Sequence, residues 1–431
     1  MSAPALRRRG LPAQMAAMTE MPGLEIQSTA ASAAERVAPV ADWLVNASRE
    51  AADILAFFGA ICERIVAAGL PLERSSVHMR LLHPEIRGYT LLWQAGKGAE
   101  ITPRYHGVEN LPTYTNSPIY WIYGGAERFR RRLENPDVML DFAVLAELKA
   151  EAFTDYVAQR LPFTDGSNHG VTWATKRPGG FSESDLAFFD ALVPHLGVIF
   201  EARAMHYVAE TLLSVYLGAD AGKRVLSGQV TRGSGQVIEA AILFADMRAF
   251  TEISEHLRGD EVIELLNQYF EAVIAPVEDH SGQVLKLIGD GMLAIFPLHA
   301  GGARPACLAA YSAAKAAFAN VAEMNRRRRA EGKLRIRIGI TFHLGPVIYG
   351  NIGGASRLDF TVIGPAVNLV SRLQRLCRNF GKGMLLSAEF AAEVGLPVVS
   401  LGHHALRGMR EPPEVFALPP AEDPYAEGAP A

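Results

Sequence analysis

Apolar residues in the first half of the chain recur at helical spacing, and shorter strand-like runs lie between the helical stretches. From Ala51 to Ala68 the apolar side chains lie three or four residues apart, which predicts an amphipathic helix. The same spacing from Leu186 to Val215 predicts a second, long helix with a break or bend. Between these helices the pattern predicts strands over residues 76–82, 89–93, 155–159 and 170–175, and a helix over residues 140–148.

The second half of the chain alternates strands and helices in a different order. Residues 237–245 are almost continuously apolar, as expected for a central strand buried on both faces. Asp290-Gly291 separates two strand-like runs and predicts a β-hairpin. Together the elements predict an α+β fold, a ferredoxin-like palm with helices on one side of its sheet. The predicted strands cover residues 283–288, 292–296, 334–340 and 358–363, and helices follow residues 245 and 365.

Length and glycine content predict two domains joined by a linker. A chain of 431 residues is too long for one ordinary core. Its first 45 residues lack a sustained period and are predicted to be disordered. Glycines from Gly218 to Gly235 mark a junction. The predicted division is a disordered segment at 1–45, a first domain at 46–202, a linker helix at 203–235, a second domain at 236–420 and a flexible tail at 421–431.

Composition and charge exclude several classes of protein. A net charge of −4 gives no electrostatic basis for binding nucleic acid. There is neither a signal peptide pattern nor a run of about 18 apolar residues, so a cytoplasmic protein without a membrane segment is expected. Cys62, Cys307 and Cys377 are far apart and are predicted to be buried, reduced thiols. The basic run Arg326–Arg329 is predicted to be a solvated helix end.

Two aspartates lie at the ends of strand-like runs, each beside a turn. Asp246 follows the first strand of the second half, and Asp290 lies in the predicted hairpin turn. Carboxylate oxygens held on rigid strands can bind a hard cation beside a nucleotide phosphate. Taken singly, each aspartate has an equally good structural explanation, because Asp290 can shape the hairpin and Asp246 can cap a helix.

Further polar groups suit a nucleotide. Asn368 and Arg372 are four residues apart on a predicted helix and therefore share one face, where they can brace a ribose and stabilise charge on an α-phosphate. The segment from Met247 turns from strand to helix, so the backbone N–H groups of Phe250 and Thr251 are free to bind a phosphate. A capping role for Thr251 is an alternative explanation.

Five strings in the second half resemble the class III adenylate and guanylate cyclases, in an order and spacing that cover residues 237–418. They are Phe244-Ala-Asp-Met-Arg-Ala-Phe-Thr251, Lys286-Leu-Ile-Gly-Asp-Gly291, Gly345-Pro-Val-Ile-Tyr-Gly-Asn-Ile-Gly353, Asp359-Phe-Thr-Val-Ile-Gly364 and Asn368-Leu-Val-Ser-Arg372. The first half resembles α/β GAF-like small-molecule sensor domains in its order of helix, strands and long exit helix. Gly69-Leu-Pro-Leu72 and Leu82-His-Pro84 also recur in the N-terminal regions of some bacterial cyclases.

The resemblance implies a reaction and residue roles. Asp246, Asp290 and the Met247 carbonyl would hold two Mg²⁺ or Mn²⁺ ions for attack of the ribose 3′-hydroxyl on the α-phosphate of ATP, which yields cyclic AMP and pyrophosphate. Lys286 and Thr361 would read the base. They favour adenine, because a donor suits its N1 and a hydroxyl can accept from its 6-amino group.

The sequence departs from the commonest family pattern at three positions. Thr361 stands where many adenylate cyclases have Asp, although Thr is a recognised variant. Pro365 stands where Asp is frequent, and it can begin a helix without losing a useful N–H. Arg407 replaces a usual triphosphate-binding Lys, which keeps the charge but changes the geometry.

The resemblance also implies a homodimer. In the family, the metal aspartates come from one subunit and the base-reading and Asn/Arg groups from the other, so a two-fold dimer of this chain would form two complete sites. Residues 345–353 would belong to the arm that crosses the dimer. A small-molecule or protein signal would act through the N-terminal domain. Two other functions stay open: a catalytically silent nucleotide-sensing or dimerisation module with the cyclase fold, and a guanylate cyclase.

Overall fold

The computed structural model of the chain describes residues 23–299 and 301–425, with side chains from residue 33 onward. The chain divides into two compact units, and the division falls after Ala209. Each unit has its own β-sheet. No helix within the described ranges combines the length and the apolar character that crossing a membrane requires.

The first unit contains a sheet whose strand pairs are all antiparallel. Its strands are β1 (Arg74–Arg80), β2 (Ile86–Gln94), β3 (Gly98–Tyr105), β4 (Arg128–Arg132), β5 (Asp155–Pro162) and β6 (Asn168–Thr175). Its helices are α1 (Gly23–Asn46), α2 (Ile54–Ala67), α3 (Pro112–Thr115), α4 (Pro118–Tyr123), α5 (Ala143–Ala150) and α6 (Glu183–Leu217), the last of which continues past the division. The strand order is β3-β2-β1-β6-β5-β4. The GAF-like assignment of this unit stays a prediction.

Helix α1 corrects the prediction of disorder for residues 1–45. Val37, Val40 and Leu44 lie three and four residues apart, so they share one helix face, and all three are buried in the core of the first unit. This apolar stripe is short, and the residues before it show no sustained period, so it was not recognised in the sequence. Residues 1–22 lie outside the described residues.

The predicted linker helix over residues 203–235 is shorter in the structure and is interrupted. Helix α6 is continuous through Pro194 and ends at Leu217, and a second helix begins at Ala219. Gly218 has a φ of 89°, a left-handed conformation that interrupts the helix between them.

The second unit is built on an eight-stranded sheet. Its strands are β7 (Gly235–Met247), β8 (Gln283–Ile288), β9 (Gly291–Pro297), β10 (Ile338–Gly353), β11 (Leu358–Ile363), β12 (Met384–Ser387), β13 (Val399–His403) and β14 (Glu414–Ala417). Its helices are α7 (Ala219–Leu226), α8 (Phe250–His256), α9 (Gly259–Asp279), α10 (Ala303–Ala330), α11 (Pro365–Asn379) and α12 (Ala388–Val394).

The predicted ferredoxin-like arrangement forms the centre of this sheet. The strand order is β13-β14-β12-β10-β7-β9-β8, and β11 pairs with β10. The chain passes from β7 through α9 to the β8–β9 hairpin, and then through α10 to β10, which gives the expected βαββαβ order. The pairs among β10, β7, β9 and β8 are antiparallel.

Helices cover both faces of the sheet, which corrects the prediction of helices on one side. Along β7, Leu243 and Ala245 pack with α9 and α10, whereas Ala240 and Ile242 pack with α7 and α11. This arrangement follows from the almost continuous apolar sequence of β7, because a strand apolar on both faces needs cover on both. By the same alternation, Asp246 lies on the α11 face.

Arg328 contradicts the prediction of a fully solvated helix end at Arg326–Arg329. It is 4% exposed, whereas its neighbours in the run are exposed. Its Nε donates to the Leu334 carbonyl at 2.7 Å, and its Nη1 donates to Gln268 Oε1 at 3.0 Å. The guanidinium therefore joins α10 to α9 and to the segment before β10.

Replacing Arg328 by Ala should lower the free energy of unfolding by about 2–4 kcal/mol, because the Leu334 carbonyl and Gln268 Oε1 lose their donor and a buried side chain is removed. Urea denaturation measures the change. The matched control is Arg329→Ala, an exposed neighbour, which should change stability by less than about 0.5 kcal/mol. If Arg328→Ala lowers the free energy of unfolding no more than Arg329→Ala does, the hydrogen bonds of Arg328 do not stabilise the fold.

The beginning of the predicted flexible tail is packed. Asp423 is buried and accepts hydrogen bonds from the Gly383 and Tyr425 backbone N–H groups at 3.2 and 2.9 Å. The Tyr425 hydroxyl accepts from the Ile338 N–H at 2.6 Å. The prediction is therefore wrong for residues 421–425, and residues 426–431 lie outside the described residues. All three cysteines are buried, as predicted.

Candidate active site

Asp246 and Asp290 lie side by side at one end of the central strands. Asp246 pairs in register with Gly291, the residue that follows Asp290. The Asp290 carboxyl lies close enough to that of Asp246 to affect its ionisation. Burial, and then the neighbouring Asp290, raise the pKa of Asp246 above its usual range. The structure thus brings together the two aspartates that the sequence predicted as a pair.

The aspartate pair suits a divalent cation. Two carboxylates in contact repel each other unless a proton or a cation lies between them, and the raised pKa of Asp246 reflects this repulsion as well as burial. Within the described ranges no group of three His, Cys, Asp or Glu side chains converges. One or two carboxylates with substrate phosphates are an ordinary ligand set for Mg²⁺. The Met247 backbone carbonyl is the further protein ligand expected here.

Arg378 is a site residue that the sequence analysis missed. It lies in the last turn of α11 and donates from Nη2 to Asp246 Oδ2 at 3.3 Å. The guanidinium lowers the pKa of the Asp246 carboxyl and so partly opposes the effects of burial and Asp290. No local signal predicts this contact, because it joins a helix to a strand 132 residues away in the chain.

Arg248 fixes the segment that follows Asp246. Its Nη2 donates to the Cys377 carbonyl at 3.1 Å and to the Lys382 carbonyl, and its Nε donates to the Ile338 carbonyl at 3.3 Å. These bonds tie the end of β7 to the end of α11 and the start of β10. They therefore fix the backbone beside Asp246 and beside Arg378.

Lys286 and Asp359 form an ion pair between β8 and β11. Both side chains are 42% exposed, so the pair lies at an accessible edge. Thr361 is buried and lies two residues after Asp359 on the same face of β11. Asp359 was predicted only as part of a motif, and its pairing with Lys286 was missed. The signal available in the sequence was that Asp359 lies two residues before Thr361, on the same face of a strand.

Helix α11 carries Asn368 and Arg372 on one face, as predicted. It begins at Pro365, which confirms the expectation for that residue. Asn368 is exposed and Arg372 is half-buried. Arg372 Nη2 would lie 3.4 Å from a Cβ at Gly408, so the loop that holds Arg407 and Gly408 approaches the Arg372 guanidinium. The structure therefore places the Arg407 loop beside the Asn/Arg pair.

Phe250 and Thr251 form the first turn of the short helix α8. The residue before them, Ala249, has a left-handed φ of 57° and is the N-cap. The alternative in which Thr251 caps the helix is therefore wrong. The Ile253 N–H donates to the Ala249 carbonyl at 3.0 Å, so the N–H groups of Phe250 and Thr251 precede the first helical hydrogen bond.

The predicted site residues of one chain lie in separate clusters along α11. Asp246 contacts Arg378 in the last turn, whereas Asn368 lies ten residues earlier. A rise of 1.5 Å per residue places these two positions about 15 Å apart along the helix axis. Asn368 therefore lies toward the opposite end of this helix from the aspartates, and Arg372 lies at its middle.

Residues 234–381 match the family described as the adenylate and guanylate cyclase catalytic domain. The second unit has a class III adenylate/guanylate cyclase domain. The match contains all five strings on which the sequence resemblance rests, and it confirms that resemblance. The cyclase domain thus includes the aspartate pair, Lys286 and the Asn368–Arg372 face, whereas Arg407 lies beyond the matched residues.

Two relatives named as adenylate cyclases resemble the cyclase domain at modest identity. The adenylate cyclase of Anabaena cylindrica is 32% identical over 165 residues, which are 38% of this chain and 32% of that protein. Adenylate cyclase 1 of Rhizobium meliloti is 30% identical over 155 residues, which are 36% of this chain and 23% of that protein. The matches thus span about a third or less of these relatives. The crystal structure of the adenylyl cyclase CyaB from P. aeruginosa is 27% identical, covers 43% of this chain and 96% of that chain, and has a TM-score of 0.40.

Proposed function

We propose that the chain is an adenylate cyclase that converts ATP to 3′,5′-cyclic AMP and pyrophosphate. The placement of Asp246 next to Asp290 at one end of β7 and β9, within a cyclase catalytic domain, carries the proposal. These carboxylates and the Met247 carbonyl would hold two Mg²⁺ or Mn²⁺ ions. When bound, the ions would lower the pKa of the ribose 3′-hydroxyl and neutralise charge on the triphosphate.

Other groups of the chain would position the nucleotide. Asn368 would brace the ribose, and Arg372 would stabilise the charge that develops on the α-phosphate as the bond to pyrophosphate breaks. The free N–H groups of Phe250 and Thr251 would bind terminal phosphate oxygens. Arg407 lies in the loop that approaches Arg372, and its positive charge would suit the triphosphate.

A two-fold homodimer would complete the site. The separation of about 15 Å along α11 between Asn368 and Arg378, which contacts Asp246, supports this arrangement, because one nucleotide must meet both the aspartates and the Asn368–Arg372 face. Each subunit would then supply half of each of two equivalent sites. Regulation by the first unit and a cytoplasmic location stay predictions from the sequence.

The preference for ATP rests on Lys286 and Thr361. The Lys286 ammonium can donate to adenine N1, and the Thr361 hydroxyl can accept from the 6-amino group. Asp359 supports this assignment, since its carboxylate holds the Lys286 side chain at the edge of β8. Guanine presents an N1–H and O6 instead, and its N1–H requires an acceptor at the lysine position.

Replacing Lys286 by Glu should lower the ratio of kcat/KM for ATP to that for GTP by at least about ten-fold, which corresponds to about 1.4 kcal/mol. In the double variant Lys286→Glu, Asp359→Asn, the glutamate introduced at position 286 is no longer repelled by a carboxylate at position 359. Initial rates of cyclic AMP and cyclic GMP formation measure the ratio. Lys315→Glu on α10 is the control for a charge change at an exposed lysine. A wild-type preference for GTP would contradict the base-reading assignment and favour the guanylate cyclase alternative.

A further inference from the structure

A cavity of about 410 Å³ in the first unit is lined by four arginines. Its floor is formed by strands β1, β2, β3 and β6, and helices α3, α4 and α5 contribute its walls. A volume of this size is typical of small-molecule pockets. The lining arginines are Arg74, Arg80, Arg87 and Arg104.

The strand register explains why the arginines converge. Alternate residues of β1 point to one face, which places Arg74, His78 and Arg80 along the floor. Arg80 pairs with Gly88 on β2, and Gly88 pairs with Arg104 on β3. The backbones of these two arginines are thus two strand spacings, about 10 Å, apart, and the residue between them has no side chain.

The arginines of the cavity have no carboxylate partners among the described residues. Each ion pair of an arginine in the first unit involves an arginine outside the cavity. Arg87 Nε is buried and has no hydrogen-bond acceptor within the described ranges. Arg104 Nε donates only to a neutral hydroxyl, Thr90 Oγ1, at 3.2 Å. One acidic residue, Glu147, lies on the lining, and it is exposed.

His78 adds no positive charge to this cavity at neutral pH. It is hydrogen-bonded to Ser76 Oγ at 2.8 Å and to Thr90 Oγ1 at 3.2 Å. Burial, and then the charges of Arg104 and Arg74, lower the pKa of His78 to about 3. The positive charge of the cavity therefore comes from its arginines.

We propose that this cavity binds a small organic anion that carries a carboxylate or a phosphate on an apolar body. Arg80, Arg87 and Arg104 hold the anionic group, because guanidinium groups donate paired hydrogen bonds to either kind of oxyanion. The rings of Tyr114 and Tyr123 provide a surface for the body, and the Arg80 guanidinium already lies 4.4 Å from the Tyr123 ring centroid. Mutual repulsion among unpaired guanidiniums is relieved when the anion binds.

Calorimetric titration of the whole 431-residue chain tests this proposal. The probes are phenyl phosphate, benzoate and neutral benzyl alcohol, at fixed ionic strength because salt screens such binding. Saturable binding of at least one anion is expected, at least about ten-fold tighter than binding of benzyl alcohol. The double variant Arg80→Gln, Arg104→Gln should bind that anion at least about ten-fold more weakly than wild type. The control Arg132→Gln changes an exposed arginine on β4 outside the cavity. This variant should bind the anion with the affinity of the wild-type protein.

The titrations distinguish a phosphorylated ligand from a carboxylate, and they can also overturn the proposal. Tighter binding of phenyl phosphate indicates a phosphorylated ligand, and tighter binding of benzoate indicates a carboxylate. Absence of saturable anion binding, equal binding of benzyl alcohol, or full affinity in the double variant overturns the proposal. Thermal unfolding shows whether the double variant is still folded. Its unfolding temperature should be unchanged or higher, because the substitutions remove charges that repel each other. Arg104→Lys, which keeps the charge but not the planar fork, should bind with intermediate affinity.

Discussion

Substituting Asp246 by Asn should reduce cyclic AMP formation by about 1000-fold or more, a loss of about 4 kcal/mol in transition-state stabilisation. Asn has the shape of Asp but lacks its charge, so the pair with Asp290 could no longer hold divalent cations. The fold should persist, because the substitution removes the repulsion that raises the pKa of the buried Asp246 carboxyl. Cyclic AMP produced from ATP and Mn²⁺ by purified protein measures the effect.

A second readout separates metal binding from catalysis. Mn²⁺ should raise the unfolding temperature of the wild-type protein by mass action, and this shift should be lost in the Asp246→Asn variant. The matched control is Asp279→Asn at the exposed end of α9, which should keep both the shift and the activity. Undiminished activity of Asp246→Asn would exclude the proposed metal role. A wild-type protein inactive on both ATP and GTP would favour the silent module.

Local signals predicted the elements that carry the site. Asp290-Gly291 is a hairpin signal contained in two residues, and the strands on either side are β8 and β9. The prediction of a strand over residues 358–363 matches β11 at both ends. Pro365 begins α11, since proline suits the first turn of a helix. In each case the information lies within a few neighbouring residues.

Elements that depend on distant partners were not predictable in the same way. Strand β10 was predicted at residues 334–340 but runs from Ile338 to Gly353, because its length is set by pairing with all 13 residues of β7 and with β11. Strand β4, Arg128–Arg132, was missed because four of its five residues are arginine, and it is held in the sheet by β5. The pairing of residues far apart in the chain determines such elements.

The same distinction applies to the site. Asp246 and Asp290 could be predicted as candidate site residues because each lies beside a local turn, whereas the contacts of Arg378 and of the Lys286–Asp359 pair depend on the packing of α11 and β11. The contact with Arg378 also changes the chemical interpretation of Asp246. Its carboxyl lies between another acid, Asp290, and a guanidinium, so cation binding would have to compete with Arg378 for the same oxygen.

Mixing two inactive variants should restore activity if the sites are shared across a homodimer. Asp246→Asn lacks the metal half of each site, and Arg372→Ala lacks the half that stabilises the transition state. With free exchange of equal amounts, about half of the dimers are mixed, and each mixed dimer has one intact site out of two. The mixture should therefore recover about a quarter of wild-type activity, measured as cyclic AMP formed per total chain after co-refolding or co-expression.

The control for this complementation combines both substitutions in one chain and mixes it with wild type. A mixed dimer of this kind has one half of each site defective, so both of its sites fail and only wild-type dimers contribute. The activity should again fall to about a quarter of the fully wild-type value, because a quarter of the dimers are wild type. If instead each subunit contained a complete site, this mixture would keep about half of the activity, and the two single variants together would remain inactive. The recovery of activity from two inactive chains is therefore a direct measure of whether Asp246 and Arg372 act on the same nucleotide from different subunits.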